Sequence, residues 1–173
     1  AGAHDGDMAR LVQWVEAVHR DGHVATFGAA ACRFRYRGSR FLDEDGWIVT
    51  RAVLQLTPGE PAAIKEKMDA YLGRRRRTQP LGSRNAGSVF KNPPGDYAGR
   101  LIEAAGCKGW REGQAEVSTL HANFIGNRGD ASAADVLKLI QRVRAAVQER
   151  FGVTLELEVG LIGFADRAKG IGV

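Results

Sequence analysis

Cysteine is nearly missing from this 173-residue chain: Cys32 and Cys107 are the two present, and neither has a partner at zinc-ligand spacing. One disulfide is formally possible, but nothing requires it, and a reduced, cytoplasmic setting is the simpler expectation. Long apolar runs are missing too. No stretch approaches the ~20 residues that span a bilayer, and the first residues do not read as a secretory signal. No internal repeat is found, and no Walker-type phosphate loop, because the glycine spacing and the Lys-Ser/Thr pair are absent. His4, His19, His23 and His121 are read as lacking an H-x-x-x-H metal pattern; His121 stands out, beside Ala122-Asn123 at the entrance of an expected strand. What is present is ordinary for a globular protein: 44% hydrophobic and 26% charged residues, which excludes wholesale disorder. The length suffices for a real core without a disulfide or metal staple.

Lys and Arg number 25 against 20 acids, a net charge of +5. A mild positive excess suits any polyanionic partner, whether nucleic acid, an anionic surface or a nucleotide-sugar diphosphate, and does not choose among them. Glycine is plentiful, at 22 residues, which points to many special backbone positions.

Hydrophobic spacing organises the chain. Residues 12–19 read as a strand, although Met8, Leu11, Val12 and Val15 also fit a helix face. Asp21-Gly22 is a hairpin signal leading into a strand over 23–27. A short helical turn is expected over 29–32. A strand over 47–56 should be half-buried, with Ile48, Ala52, Leu54 and Leu56 on one side at period two. Thr57-Pro58-Gly59-Glu60-Pro61 is a break. A helix over 62–77 follows, with Ile64, Met68, Tyr71 and Leu72 at helical spacing and four arginines at its C-terminal end, where the helix dipole favours cations. Another helix is expected over 97–105, with Leu101, Ile102 and Ala105 inward. Short strands are expected over 115–118 and 124–127. Ser132-Ala133-Ala134-Asp135 resembles a capping box. It opens the clearest helix, whose apolar stripe runs Val136, Ile140, Val143, Val147, Phe151. A final strand is expected over 153–161, then a loose glycine-rich tail.

Three places could carry chemistry. Residues 34–41 interleave cations and aromatics. A solvated basic edge explains them adequately; single-stranded nucleic-acid binding and an arginine holding a carboxylate in bidentate geometry are the functional alternatives. Residues 86–94 combine Gly87, Ser88, Lys91 and Asn92, which can bind an anion or relay a proton, or can simply form a turn. In 155–159, Glu156 and Glu158 share one face of a strand. Both can be solvated, or one can turn into a cleft and act as an acid. The run Arg74 to Arg77 is adequately explained as a solvated helix end; nucleic-acid binding would want a longer stripe.

Four segments complete the reading: Tyr36-Arg37-Gly38-Ser39-Arg40-Phe41, Ala86-Gly87-Ser88-Val89-Phe90-Lys91-Asn92-Pro93, Ser118-Thr119-Leu120-His121-Ala122-Asn123-Phe124-Ile125 and Leu155-Glu156-Leu157-Glu158-Val159. In this order and spacing they resemble the UDP-N-acetylenolpyruvoylglucosamine reductase family, flavoenzymes of peptidoglycan precursor synthesis. The resemblance extends from Ala1-Gly2-Ala3 to Gly163, and the Gly-Ser-Val-Phe-Lys-Asn-Pro string is its most specific part.

The resemblance implies roles. Ser88 matches the serine that protonates the substrate, and Arg37 and Glu158 match the active-site arginine and glutamate. Tyr36, Lys91, Asn92 and His121 match positions near the nucleotide-sugar, and Gly2, Arg37 and Ser88 match positions near the flavin. It implies FAD as cofactor, NADPH as hydride donor and UDP-N-acetylglucosamine enolpyruvate as substrate, in the cytoplasm, with no nucleic-acid or membrane partner. Gly38 stands where the family usually has Asp, Gly160 where it has Arg, and His4 where it has Tyr. The short link from Leu56 to Ala62 resembles the type II branch, which lacks an inserted lid. The family's N-terminal FAD-binding domain would precede Ala1. The expected fold is α+β: an incomplete strand-rich FAD-binding subdomain over 1–57, then an α+β substrate-binding domain over 58–173. The competing expectations are a basic nucleic-acid-binding module and a non-catalytic remnant that binds nucleotide-sugar.

Overall fold

A computed structural model describes residues 2, 3 and 6–164. The chain divides into two compact units, Ala1–Tyr71 and Leu72–Val173. Among the described residues no helix is long and apolar enough to cross a membrane.

The first unit is built on antiparallel strands. β1 (Gly2–Ala3) pairs with β2 (Gly6–Asp7). β3 (Val12–His19) is the centre of a three-stranded sheet, flanked by β4 (Val24–Gly28) and β5 (Trp47–Leu54). The helical alternative for 12–19 is thereby excluded. Gly22, at φ +92°, makes the tight β3–β4 turn, a conformation other residues enter at a cost. A 3-10 turn (Ala29–Cys32) and the short helix α1 (Arg40–Asp43) follow. Val12, Val15 and Cys32 form a small core with Phe27, Phe34 and Phe41 against it.

The expected burial of one face of β5 does not occur: Ile48 is 68% exposed, and Leu54 and Leu56 are exposed as well. β5 is an edge strand, paired with β3 alone. Period two fixes which side chains share a face, not whether a layer covers that face. α2 (Pro61–Thr78) likewise buries none of its residues, so the spacing of Ile64, Met68 and Leu72 marks a stripe that stays exposed.

The second unit holds the larger core. Its antiparallel sheet has the order β6 (Arg84–Ser88), β9 (Phe124–Asn127), β8 (Ala115–Val117), β7 (Arg111–Glu112). α3 (Ala98–Ala104) and α4 (Ala133–Phe151) pack with the sheet around Phe90, Val117, Leu101, Ile102, Ile140, Val143 and Val147. α4 opens with the anticipated capping box: Ser132 Oγ accepts from the Asp135 N–H, and Asp135 accepts from the Ser132 N–H. Its stripe packs as read, with Leu137 and Leu139 also buried.

The final strand is a correction. Residues 153–161 make a single bridge, Phe90 to Leu157, with three backbone bonds around it: Lys91 N–H to Glu156 O and Glu158 N–H to Val89 O, each 2.8 Å, and Val159 N–H to Val89 O at 3.4 Å. The alternation itself holds, since Leu155 and Leu157 are buried and Glu156 exposed. The segment follows the chain leaving β6 for too short a distance to form a ladder. The glycine-rich tail from residue 165 lies outside the described residues.

Candidate active site

The site grows from the end of β6. Asn85 Nδ2 lies 3.0 Å from the carbonyl oxygens of Pro80 and Ser83 and from Ser83 Oγ, which ties down the turn before the strand. Asn85 Oδ1 accepts from the Gly87 N–H at 2.9 Å. The β6–β9 register then slips between Asn85 and Ser88, so one extra residue bulges from β6. Gly87 occupies the bulge at φ +87°, with nothing within 4 Å of where a Cβ would stand. Glycine is needed there for its backbone, not for lack of room. A bulge turns the following side chain away from the regular alternation, and that side chain is Ser88.

Asn123 locks the next two residues. It is 4% exposed; its Oδ1 accepts from the Phe90 N–H at 2.9 Å and its Nδ2 donates to the Phe90 carbonyl at 2.8 Å. Its own carbonyl accepts from the Val89 N–H at 2.9 Å. One buried amide thus mimics a strand partner and fixes the backbone beside Ser88. Two residues on, Asn92 Oδ1 accepts from the Ala98 N–H at 3.1 Å, satisfying one of the open donors at the start of α3.

His121 sits in the tight turn between β8 and β9. Ser118 Oγ accepts from the His121 N–H, and His121 Nδ1 accepts from the Asn123 N–H at 3.2 Å. An Nδ1 that accepts carries no proton. Burial also pushes the imidazole below its ordinary pKa, so His121 is neutral near pH 7, with any donor at Nε2. The ring packs edge-on to Phe124 at 4.9 Å and lies over Gly99, where an added Cβ would stand 3.1 Å from its Cε1.

Ser88, Asn92, His121 and Asn123 line a pocket of about 450 Å³ with Tyr97, Arg100, Glu103 and Leu120. Arg100 pairs with Asp96, and Glu103 with Lys108 at 2.7 Å. The pocket therefore offers a hydroxyl, two amides, a neutral imidazole and paired charges: groups that grip carbonyl, hydroxyl and phosphate oxygens.

Of the residues singled out in the sequence, Ser88, Asn92 and His121 come together here. Lys91 is not among the lining residues; its Nζ lies 3.3 Å from Glu156. Glu158 is half-buried, with its backbone bonded to Val89. Tyr36 and Arg37 belong to the first unit. Arg37 is in the left-handed region at φ +51°, with its guanidinium 5.2 Å from the centre of the Tyr36 ring, and Tyr36 is 59% exposed. Gly2 lies in β1. Nearby Arg33 and Arg35 are bound to Glu44 and Asp43. At position 38 a Cβ would stand 2.6 Å from the Arg35 guanidinium carbon, so a larger residue there would displace that flexible side chain. Asn123 and Arg100 were not anticipated. An isolated Asn reads as exposed until its buried partners are known.

Comparison with known proteins gives the family. Residues 79–162 match the family model of the UDP-N-acetylenolpyruvoylglucosamine reductase C-terminal domain. The chain is 53% identical over 163 residues to UDP-N-acetylenolpyruvoylglucosamine reductase 2 of Symbiobacterium thermophilum, covering 94% of this chain and 53% of that protein. It is 53% identical, with the same coverages, to the reductase of Moorella thermoacetica. The crystal structure of the Thermus caldophilus reductase superposes with a TM-score of 0.79 at 43% identity, covering 92% of this chain and 56% of that one. The chain spans about half the length of these relatives. It belongs to the UDP-N-acetylenolpyruvoylglucosamine reductase family, whose C-terminal domain is carried by residues 79–162.

Proposed function

We propose that this chain supplies the substrate side of the reduction of UDP-N-acetylglucosamine enolpyruvate to UDP-N-acetylmuramate, in cytoplasmic synthesis of peptidoglycan precursors. The observation that carries this reading is the Gly87 bulge, which sets Ser88 in a pocket wall with Asn92, Asn123 and a neutral His121. Support comes from the names of the relatives and the matched C-terminal domain. The reading takes FAD as resident flavin and NADPH as hydride donor.

A flavin dinucleotide needs free cations or a run of open backbone N–H groups for its pyrophosphate. In the first unit Arg33 and Arg35 are committed to Glu44 and Asp43. Among the described residues the positive-φ glycines are isolated in separate turns. By themselves these groups do not make a dinucleotide cradle. The short connection between β5 and α2, residues 55–60, is consistent with a branch that lacks an inserted lid.

The chain's own residues have definable work. Once C3 of the enolpyruvyl group is reduced, negative charge lies at C2 and spreads into the carboxylate. The Ser88 hydroxyl delivers its proton to C2 and recovers one from water. A serine is a weak acid, competent here because the acceptor is a strongly basic carbon. Asn92 and the Nε2–H of His121 hold sugar or phosphate oxygens, and Asn123 keeps Ser88 from drifting. By the motif match, Lys91 is assigned to the nucleotide-sugar. From the motif match, Arg37 and Tyr36 are assigned to the substrate carboxylate and its surroundings, Glu158 to the acid that stabilises the charged intermediate, and Gly2, Arg37 and Ser88 to the flavin side.

The test is a chimera in which the N-terminal part of the Symbiobacterium relative precedes this chain. Ser88→Ala should leave flavin reduction by NADPH unchanged and slow reoxidation by the enolpyruvyl substrate by ~10²–10⁴-fold. Normal rates in both half-reactions would remove Ser88 from the mechanism. A chimera that binds flavin and substrate but never turns over would make this chain a nucleotide-sugar-binding remnant.

A further inference from the structure

The tip of the β3–β4 hairpin carries a second cluster, unrelated to the pocket of the second unit. His19 and His23 stand at H-x-x-x-H spacing across the Asp21-Gly22 turn, which corrects the expectation that the histidines show no such pattern. Here the turn brings them together: the His19 N–H donates to the His23 carbonyl at 2.9 Å, and the Gly22 N–H to the His19 carbonyl at 2.8 Å. Asp21 lies between them, its Oδ1 accepting from the His23 N–H at 3.0 Å. His19 Nδ1 is 3.0 Å from Asp21 Oδ2, and His23 Nδ1 is 3.5 Å from Asp21 Oδ1. One ligand atom from each of the three residues falls within 4.8 Å of the other two.

Those gaps suit a cation. A tetrahedral ion with bonds of ~2.0–2.1 Å to nitrogen and oxygen has ligand atoms about 3.3 Å apart. A second observation points the same way. His19 Nδ1 is out of contact with water and makes no well-directed hydrogen bond, although a carboxylate oxygen stands 3.0 Å away. A water-shielded ring nitrogen held this close to a carboxylate oxygen can share either a proton or a metal ion with it. The ring is also held in place: Trp47 lies 5.0 Å from both imidazoles, centre to centre, and a Cβ on Gly46 would stand 2.8 Å from His19 Nε2.

We propose that His19, Asp21 and His23 form a site for a borderline divalent transition metal of the Zn²⁺ or Co²⁺ kind, clipping the β3–β4 turn. Two imidazoles and one carboxylate favour such ions over Mg²⁺ or Ca²⁺, which seek oxygen ligands. Three protein ligands leave the fourth position to water. The site calls for no redox change and no step in the reduction proposed above.

The experiment is calorimetric titration of the EDTA-treated chain with Zn²⁺, alongside Co²⁺ titration followed by tryptophan fluorescence. The expected result is one saturable Zn²⁺ site and quenching by Co²⁺ that saturates with it, since Trp47 abuts both imidazoles. His23→Gln and Asp21→Asn alter exposed side chains at the turn and should leave the fold intact. Loss of an outer partner alone weakens metal sites ~10–100-fold, so loss of a ligand should weaken Zn²⁺ binding at least that much and abolish the quenching. His121→Gln should leave Zn²⁺ affinity unchanged. Absence of a saturable site, or full affinity in His23→Gln, would overturn the proposal.

Discussion

Asn123 illustrates how one side chain can hold a site without performing its chemistry. Its amide makes both backbone bonds of Phe90 that a neighbouring strand would otherwise make, while its carbonyl holds Val89. Both Phe90 and Asn123 are buried, so water cannot readily replace the amide. Asn123→Ala should therefore destabilise the chain by about 1–3 kcal/mol for each of the two peptide groups left unpaired. Urea denaturation measures this, and a loss below that range for even one group would show that the Phe90 peptide finds other partners. Ser88, Asn92 and His121 were legible in the sequence because they sit in short, specific strings. Asn123 lies in one of those strings as well, but its importance comes from a contact 33 residues away in sequence, which no local pattern reveals. Gly38 was read as a departure from the family pattern; that the Arg35 side chain crosses over it toward Asp43 is likewise visible only in space.

Among the elements, α4 was the most legible, because capping, periodicity and burial agree over nineteen residues. The hairpin of β3 and β4 was legible from its turn. Residues 153–161 were not: alternation was present and correctly oriented, but a strand also needs a partner of matching length, and the chain beyond Phe90 turns away at Asn92 to cap α3. β5 and α2 were placed well in sequence, yet their burial was misjudged, because periodicity says nothing about what covers a face. At the entry to α3, Asp96 offers a pH test. Hydrogen bonds from the Arg100 guanidinium, then from the Tyr97 N–H, hold its carboxyl down to about 2, against an ordinary 3.8. A folded-state pKa below the unfolded one gives stability that is complete above the unfolded value and disappears as pH falls through the folded value. The stability gap between the natural chain and Asp96→Asn should thus be constant above about pH 5 and close as pH approaches about 2. Thermal melts across that range check it; a gap that persisted at the acid end would mean that the carboxylate's bonds are not its source.

For the whole molecule, the decisive asymmetry is in the cores. The second unit buries Phe90, Leu101, Ile102, Val117, Leu139, Ile140, Val143, Val147 and Leu155 in one cluster, whereas the first rests on Val12, Val15 and Cys32 with partly buried aromatics around them. Apolar burial is the main source of folding free energy, at roughly 25 cal/mol per Å², so the second unit should be a folding domain in its own right. The division between the units falls within α2, which buries nothing and ends in Arg74 to Arg77, all exposed. Trypsin should therefore cut first in that arginine run and leave a resistant C-terminal product that carries the Ser88 pocket. A fragment of residues 72–173 should unfold in urea as one cooperative transition, with a midpoint close to that of the same unit in the intact chain. It should also retain binding of the UDP-sugar, because the pocket is lined by its own residues. A fragment that gave no cooperative transition would show that the core of the second unit does not suffice to fold it.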